Sequence, residues 1–192
     1  MSSVTRIYQQ ADSLLYRFEA VAAGVGLGFS VAVTMLDVLL RNGGELLETL
    51  FGVRWSAGIG GGGEVAQVSM IWGMLIGAAL GSRQGIHIGV DVLVQRLPAT
   101  LCKAVVLVSL AAGAAFSAAV TLLGIELVQF SMNSGQITAD VGMPRWMLYL
   151  SVPTAMALMT VHQLQVAAEM WRRPADEVKR SAQAVSVEES GA

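Results

Sequence analysis

Charge is scarce in this sequence. Asp, Glu, Lys and Arg supply 14% of its 192 residues, against about 25% in soluble domains, and they crowd into a few short stretches. Long tracts are almost bare of them, which excludes a soluble globular domain. Disorder is excluded as well, because it needs low hydrophobicity and high charge. A net charge of −2 leaves no basic surplus for nucleic acid, so no nucleic-acid partner is expected.

Cysteine and catalytic motifs are equally sparse. The single Cys102 cannot close a disulfide within the chain, and no CxxC or Cys/His cluster offers a structural metal site. GxSxG, HExxH and a P-loop are all missing, and the GIGGGG run of residues 58–63 neither follows a strand nor ends in the Lys-Ser/Thr that phosphate binding requires. That run reads as a flexible loop. The ten-residue apolar/polar alternation of an outer-membrane barrel is also missing. Enzymatic chemistry finds no support, and stability has to come from a bilayer and from helix packing.

What the chain does have is apolar length, with 54% hydrophobic residues. An apolar helix needs about 20 residues to cross a ~30 Å hydrocarbon core. Four stretches meet that need: 20–40, with Asp37 as its only charge; 65–82; 104–125; and 146–168. The expected fold is an all-α integral membrane protein with four transmembrane helices in a membrane domain over 20–170. Before it, Ile7, Ala11, Leu14 or Leu15, and Phe18 fall at helical spacing between Arg6, Asp12 and Arg17, which predicts an amphipathic segment over 1–19 lying on the membrane surface. A signal-peptide reading of the first span is disfavoured by its length and late start. After the domain, 171–192 forms a polar tail, expected to fray from Pro174 onward.

Orientation follows from the cations. Arg6, Arg17, Arg83, Arg96, Lys103, Arg172, Arg173, Lys179 and Arg180 fall on the side shared by both termini, against Arg41, Arg54 and Arg145 on the other. By the positive-inside rule both termini are cytoplasmic, and the loops at 41–64 and 126–145 face outward. Between the second and third spans, Ile86, Val90, Leu93 and Leu97 repeat at helical steps while His87, Asp91 and Gln95 share the other side. This predicts a short interfacial amphipathic helix, with His87 and Asp91 close enough to hydrogen-bond.

Helices in lipid associate by close packing, which small residues four apart permit. Gly24 and Gly28 on the first span, Gly73, Gly77 and Gly81 on the second, and Ser109, Gly113 and Ser117 on the third are the expected contact stripes. Ionisable groups near a span are costly. Asp37 and Arg41 are four apart and can pair along one face, while Glu64 opens the second span, where a helix N-terminus favours an anion. Arg41 and Glu64 fall on the same outer side, within reach of a contact between the first two helices. His162 lies within the fourth span and reads as a packed or interfacial histidine, not a haem ligand, because no other cofactor signature accompanies it.

The order Arg41, Glu64, Trp72, Gly77-Ala78-Ala79, His87-Ile88, Val90-Asp91 and Leu97-Pro98, followed by Thr138, Gly142-Met143-Pro144-Arg145-Trp146, Tyr149 and Pro153, resembles the small membrane subunit of tripartite ATP-independent periplasmic (TRAP) transporters, the DctQ-like family. The resemblance covers about 20–170. It implies a bacterial inner-membrane subunit working beside a large permease and a periplasmic substrate-binding protein. In that family the large subunit moves an organic acid by a sodium-coupled elevator and holds the substrate and ion sites. The small one is a scaffold in contact with lipid. No cofactor is therefore expected in this chain, and sodium is expected in the large subunit. The link between Arg41 and Glu64 is longer than is usual in the family, and it is a place where this protein would adapt to its own periplasmic partner. Arg54, Trp55, Arg145 and Trp146 are expected near the docking surface for the binding protein, although an aromatic belt explains the tryptophans equally. Two other readings stay open from the residues alone: the membrane anchor of a respiratory oxidoreductase, and a small homo-oligomeric exporter or channel.

Overall fold

The computed structural model describes residues 3–52, 58–83 and 98–178. Its element order is α1 (Ser3–Phe51), α2 (Gly62–Arg83), α3 (Ala99–Ser134), α4 (Trp146–Tyr149) and α5 (Ser151–Arg172). Among the described residues there is no strand, only an isolated antiparallel bridge between Ile137 and Pro144. The interfacial helix expected over 84–97, with His87 and Asp91, lies outside the described residues, as do Arg54 and Trp55.

Among the described residues, three helices are long and apolar enough to cross a membrane: Ser13–Phe51 within α1, Gly62–Ser82 within α2, and all of α3. Ala, Leu, Val and Met carry them, and neither α1 nor α3 contains a proline. At about 1.5 Å per residue, α1 extends about 74 Å and α3 about 54 Å, both well beyond a ~30 Å core. No break separates residues 3–19 from 20–40, so the described part of the segment expected to lie on the surface continues helically into the first span. α1 ends where Gly52, at φ 66°, donates its N–H to Glu48 O at 3.0 Å, the left-handed stop that glycine takes without steric cost.

The stretch expected as a fourth span is divided. α4 is a single turn, and α5 begins at Ser151 with Pro153 in its first turn, where a missing N–H costs no helical bond. His162, Gln163 and Gln165 dilute the hydropathy of α5, which is why length alone suggested a span and α5 does not join the three apolar helices. The tail also departs from the expectation of fraying at Pro174. The helix resumes over 175–178, and Val178 is buried against Cys102, with Val105, Val106 and Met170 around them.

The chain divides into two compact units, one of Met1–Gly77 with Gly124–Val152, the other of Ala78–Leu123 with Pro153–Ala192. In the first, the buried face of α1 reads Glu19, Ala23 and Ser30, with Gly26 between them. A Cβ on Gly26 would stand 3.0 Å from Ser69 O and 3.1 Å from Gly73 Cα, and one on Gly73 would stand 2.9 Å from Leu27 N and 3.0 Å from Ala23 O. α1 and α2 therefore cross backbone against backbone, an approach only glycine allows. The second unit is held by polar side chains. Thr160 Oγ1 donates to Ser117 Oγ at 2.8 Å, His162 Nδ1 lies 3.0 Å from Ala79 O, and Lys103 Nζ donates to the carbonyls of Trp171 and Arg173 at 2.9 and 2.8 Å.

Candidate functional site: a two-carboxylate loop clasp

Two carboxylates of the first unit, one within α1 and one in the first turn of α2, hold loop backbone. Asp37 sits on α1 seven residues beyond Ser30, so the buried face that packs on α2 carries it to the level of the loop after α1. Its Oδ1 accepts the N–H of Ile59 at 2.9 Å, and its Oδ2 pairs with Arg41 Nε at 3.0 Å. The Asp37 side chain is 14% exposed and that of Arg41 70%, so the guanidinium faces outward while the carboxylate is kept in place. The i, i+4 spacing produces this pair, and the pairing leaves one oxygen for the loop.

Glu64, in the first turn of α2, does the same for the loop between α3 and α4. That loop is a small hairpin: Arg145 N donates to Gln136 O at 3.0 Å, Thr138 N to Met143 O at 2.8 Å, and Met143 N to Thr138 Oγ1 at 3.0 Å. Four residues, 139–142, form its tip. The amides of Asp140 and Val141 point out of that tip and donate to Glu64 Oε1 and Oε2, each at 2.9 Å. A carboxylate accepting two backbone N–H groups makes charge-assisted bonds, stronger than neutral ones, and the curled tip forms an anion-binding concavity. Gly61, at φ 75°, lies directly under Val141, and a Cβ there would run into the Val141 side chain. Only glycine fits both that backbone angle and that space. Farther along α2, Trp72 Nε1 donates to Met147 O at 3.3 Å, tying α4 to the same helix.

The clasp joins Asp37, with Arg41 paired to it, and Glu64 to the two loops, while Trp72 reaches α4, and Arg41 and Glu64 make no ion pair with each other among the described residues. Arg145 is exposed at the base of the hairpin and Trp146 opens α4, half-buried. The glycines separate into groups. Gly26, which the four-residue spacing did not single out, meets Gly73. Gly77 has ordinary room beside the Ala23 Cβ, at 3.7 Å, and Gly113 faces the Gln163 amide, whereas Gly24, Gly28 and Gly81 have nothing within 4 Å of a Cβ. In the second unit His162 is fully buried. Because a carbonyl only accepts, the proton shared with Ala79 O sits on Nδ1.

Chemically, this arrangement ties and positions. Every carboxylate oxygen of the clasp is already engaged by an amide or a guanidinium, and the Thr138 hydroxyl beside Glu64 is one more hydrogen-bonding group on that carboxylate. Among the described residues no group of three or more His, Cys, Asp or Glu is placed to hold a metal ion. Sequence reasoning missed Ile59 and Gly61, whose parts in the clasp are played by backbone, and it named Thr138 only within the family resemblance. A Gly beside a Glu that opens a helix was the available signal.

Residues 30–173 match the family of tripartite ATP-independent periplasmic transporters, DctQ component. Two curated relatives are similar to the chain. One is the C4-dicarboxylate TRAP transporter small permease protein DctQ of Rhodobacter capsulatus, 36% identical over 54% of this chain and 46% of the relative. The other is the protein of the same description from Vibrio cholerae, 32% identical over 50% of this chain and 51% of the relative. The chain thus spans about half the length of the curated relatives it matches. Components of this family are transport subunits and not enzymes, and the apolar helices described above agree with a membrane protein. With the family match covering α2, α3, α5 and the whole clasp, the chain belongs to the DctQ component family of tripartite ATP-independent periplasmic transporters.

Proposed function

We propose that this chain is the small permease subunit of a TRAP transporter in the bacterial inner membrane, scaffolding a large elevator-type permease for sodium-coupled, binding-protein-dependent uptake of an organic acid. The observation that carries the reading is the family match over residues 30–173. A C4-dicarboxylate is the first substrate to test, because both relatives are described by it. The substrate and sodium sites belong to the large subunit on this reading, and no cofactor is assigned to this chain.

The reading includes four spans, with α5 as the fourth. Its polar residues are turned inward: His162, Gln163 and Ser151 are buried, while Val161, Leu164 and Trp171 are exposed. A helix of modest hydropathy can cross a bilayer when its polar side chains turn into the bundle and leave the apolar ones to the lipid. The nine-to-three division of Lys and Arg supports cytoplasmic termini. The clasp then faces the periplasm, where Arg145 and Trp146 stand at the base of a hairpin held by Glu64, and Arg54 and Trp55 belong to the other outward loop. We assign that face to the binding protein.

The test is co-expression with a large TRAP permease, followed by pull-down and by uptake assays in proteoliposomes. The expected result is a stable complex whose C4-dicarboxylate uptake requires both the binding protein and a sodium gradient. Full uptake by the large permease without this chain would overturn the scaffold. Arg145→Glu is expected to weaken binding-protein-dependent uptake while the complex still assembles, and unchanged uptake would remove Arg145 from the docking face.

A further inference from the structure

The last turn of α5 gathers three cations with different fates. Lys103 reaches over from α3 and caps the carbonyls of Trp171 and Arg173, which satisfies the negative end of the helix dipole. Arg173 pairs with Glu169 one turn back. Arg172, the basic residue of the last turn, is exposed and forms no ion pair among the described residues. Since Lys103 already serves the helix end, the guanidinium of Arg172 is left with its full charge and its fork of donors. Beside it Trp171 is 72% exposed, a large ring whose apolar body and N–H suit the boundary between acyl chains and headgroups. At 22 residues, α5 is about 33 Å long, close to a ~30 Å core, so its end emerges at headgroup depth.

We propose that Arg172 and Trp171 form a binding site for the phosphate of an anionic phospholipid, with the guanidinium on the phosphate and the indole packed on the glycerol and upper acyl region. An arginine presents paired N–H donors that match phosphate oxygens. Lys103 is a positioning residue: by taking the α5 carbonyls it keeps Arg172 from folding back to cap its own helix. The site rests on the reading of α5 as a span, but it does not depend on which side of the membrane this end faces.

The test uses the full chain in phosphatidylcholine vesicles containing phosphatidylglycerol, with bromines placed near the headgroup on either one lipid or the other. The Trp171 component of fluorescence quenching is the part lost in Trp171→Phe. Brominated phosphatidylglycerol is expected to quench that component as if enriched about fivefold near the indole. Arg172→Gln should abolish the enrichment and Arg172→Lys should keep part of it. Equal quenching by the two lipids would overturn the headgroup site while leaving the span intact. A Trp171 component untouched by either lipid would overturn the span on which the site rests. Inorganic phosphate is expected to leave the enrichment in place, and competition by it as strong as that of the lipid would assign the site to a soluble anion.

Discussion

In the unit built from Met1–Gly77 and Gly124–Val152, α1 and α2 meet through bare backbone at Gly26 and Gly73, and two carboxylates pin the loops above the crossing. In the unit built from Ala78–Leu123 and Pro153–Ala192, helices meet through side chains: Thr160 on Ser117, His162 on the carbonyl of Ala79, Lys103 on the end of α5. Lipid gives helices no hydrophobic reason to associate, so contact has to come from dispersion at close range or from hydrogen bonds. One unit relies on the first and the other on the second. Backbone contact tolerates no added atom, whereas side-chain contact can adjust. The comparison therefore predicts different responses to the same small changes.

The largest effect is expected at Gly73. A methyl group there meets Leu27 N and Ala23 O at 2.9 and 3.0 Å, and neither can move without shifting a helix. Gly73→Ala should cost about 1–3 kcal/mol, the range for overpacking a tight interior, measured as a lowered unfolding midpoint in detergent. Gly24→Ala is the control, because nothing lies within 4 Å of a Cβ there. Equal stability of the two variants would break the claim that backbone contact holds this unit.

The clasp comes next. Glu64→Ala leaves the amides of Asp140 and Val141 without their acceptor, and hydrogen exchange at those two positions should rise to that of an open loop. Glu64→Gln keeps one good acceptor oxygen and should retain part of the protection. Met143, whose amide is held by Thr138, is expected to change less. Uniform loosening of the whole hairpin in Glu64→Gln would mean that the carboxylate charge, and not the bond geometry, shapes it.

Some of this was legible in the sequence and some was not, for physical reasons. Asp37 and Arg41 carry their pairing in the spacing itself, since four residues bring them to one face of any helix. Long apolar runs gave the helices of α1, α2 and α3. Gly26 was overlooked because small residues exactly four apart select Gly24 and Gly28. The face that packs follows an alternating four-three step through Glu19, Ala23, Gly26 and Ser30, then on to Asp37. The partner of Glu64 lies 76 positions away and is a pair of backbone amides, and an amide has no letter in a sequence. α5 was visible by length, while the burial of its His162 and Gln163 depends on which neighbours pack against them.

On the side-chain-held unit the effects should be smaller. Ser117→Ala and Thr160→Val, taken singly and together, isolate the hydroxyl pair, and the coupling should be about 0.6 kcal/mol, as for membrane hydrogen bonds in general. Each hydroxyl also has a carbonyl of its own helix to return to, Gly113 O or Ala114 O for Ser117 and Met156 O for Thr160. A coupling above the range of the backbone crossing would reverse the ranking of the two units.

The smallest effect is predicted where the geometry at first looks as severe as at Gly73. A Cβ on Gly113 would come within 3.0 Å of Gln163 Oε1 and 3.1 Å of its Nε2, a clash of nearly the same depth. Here, however, the obstructing atoms are the far end of a side chain with three rotatable bonds, and a few tenths of an ångström can be absorbed by turning it. Replacing a mid-helix glycine also recovers up to about 1 kcal/mol of helix propensity. The two terms oppose each other, so Gly113→Ala should leave the unfolding midpoint within error of the parent chain. A loss as large as that of Gly73→Ala would show that the Gln163 amide is held as rigidly as a backbone, and the contrast between the two units would then be one of chemistry without a difference in compliance.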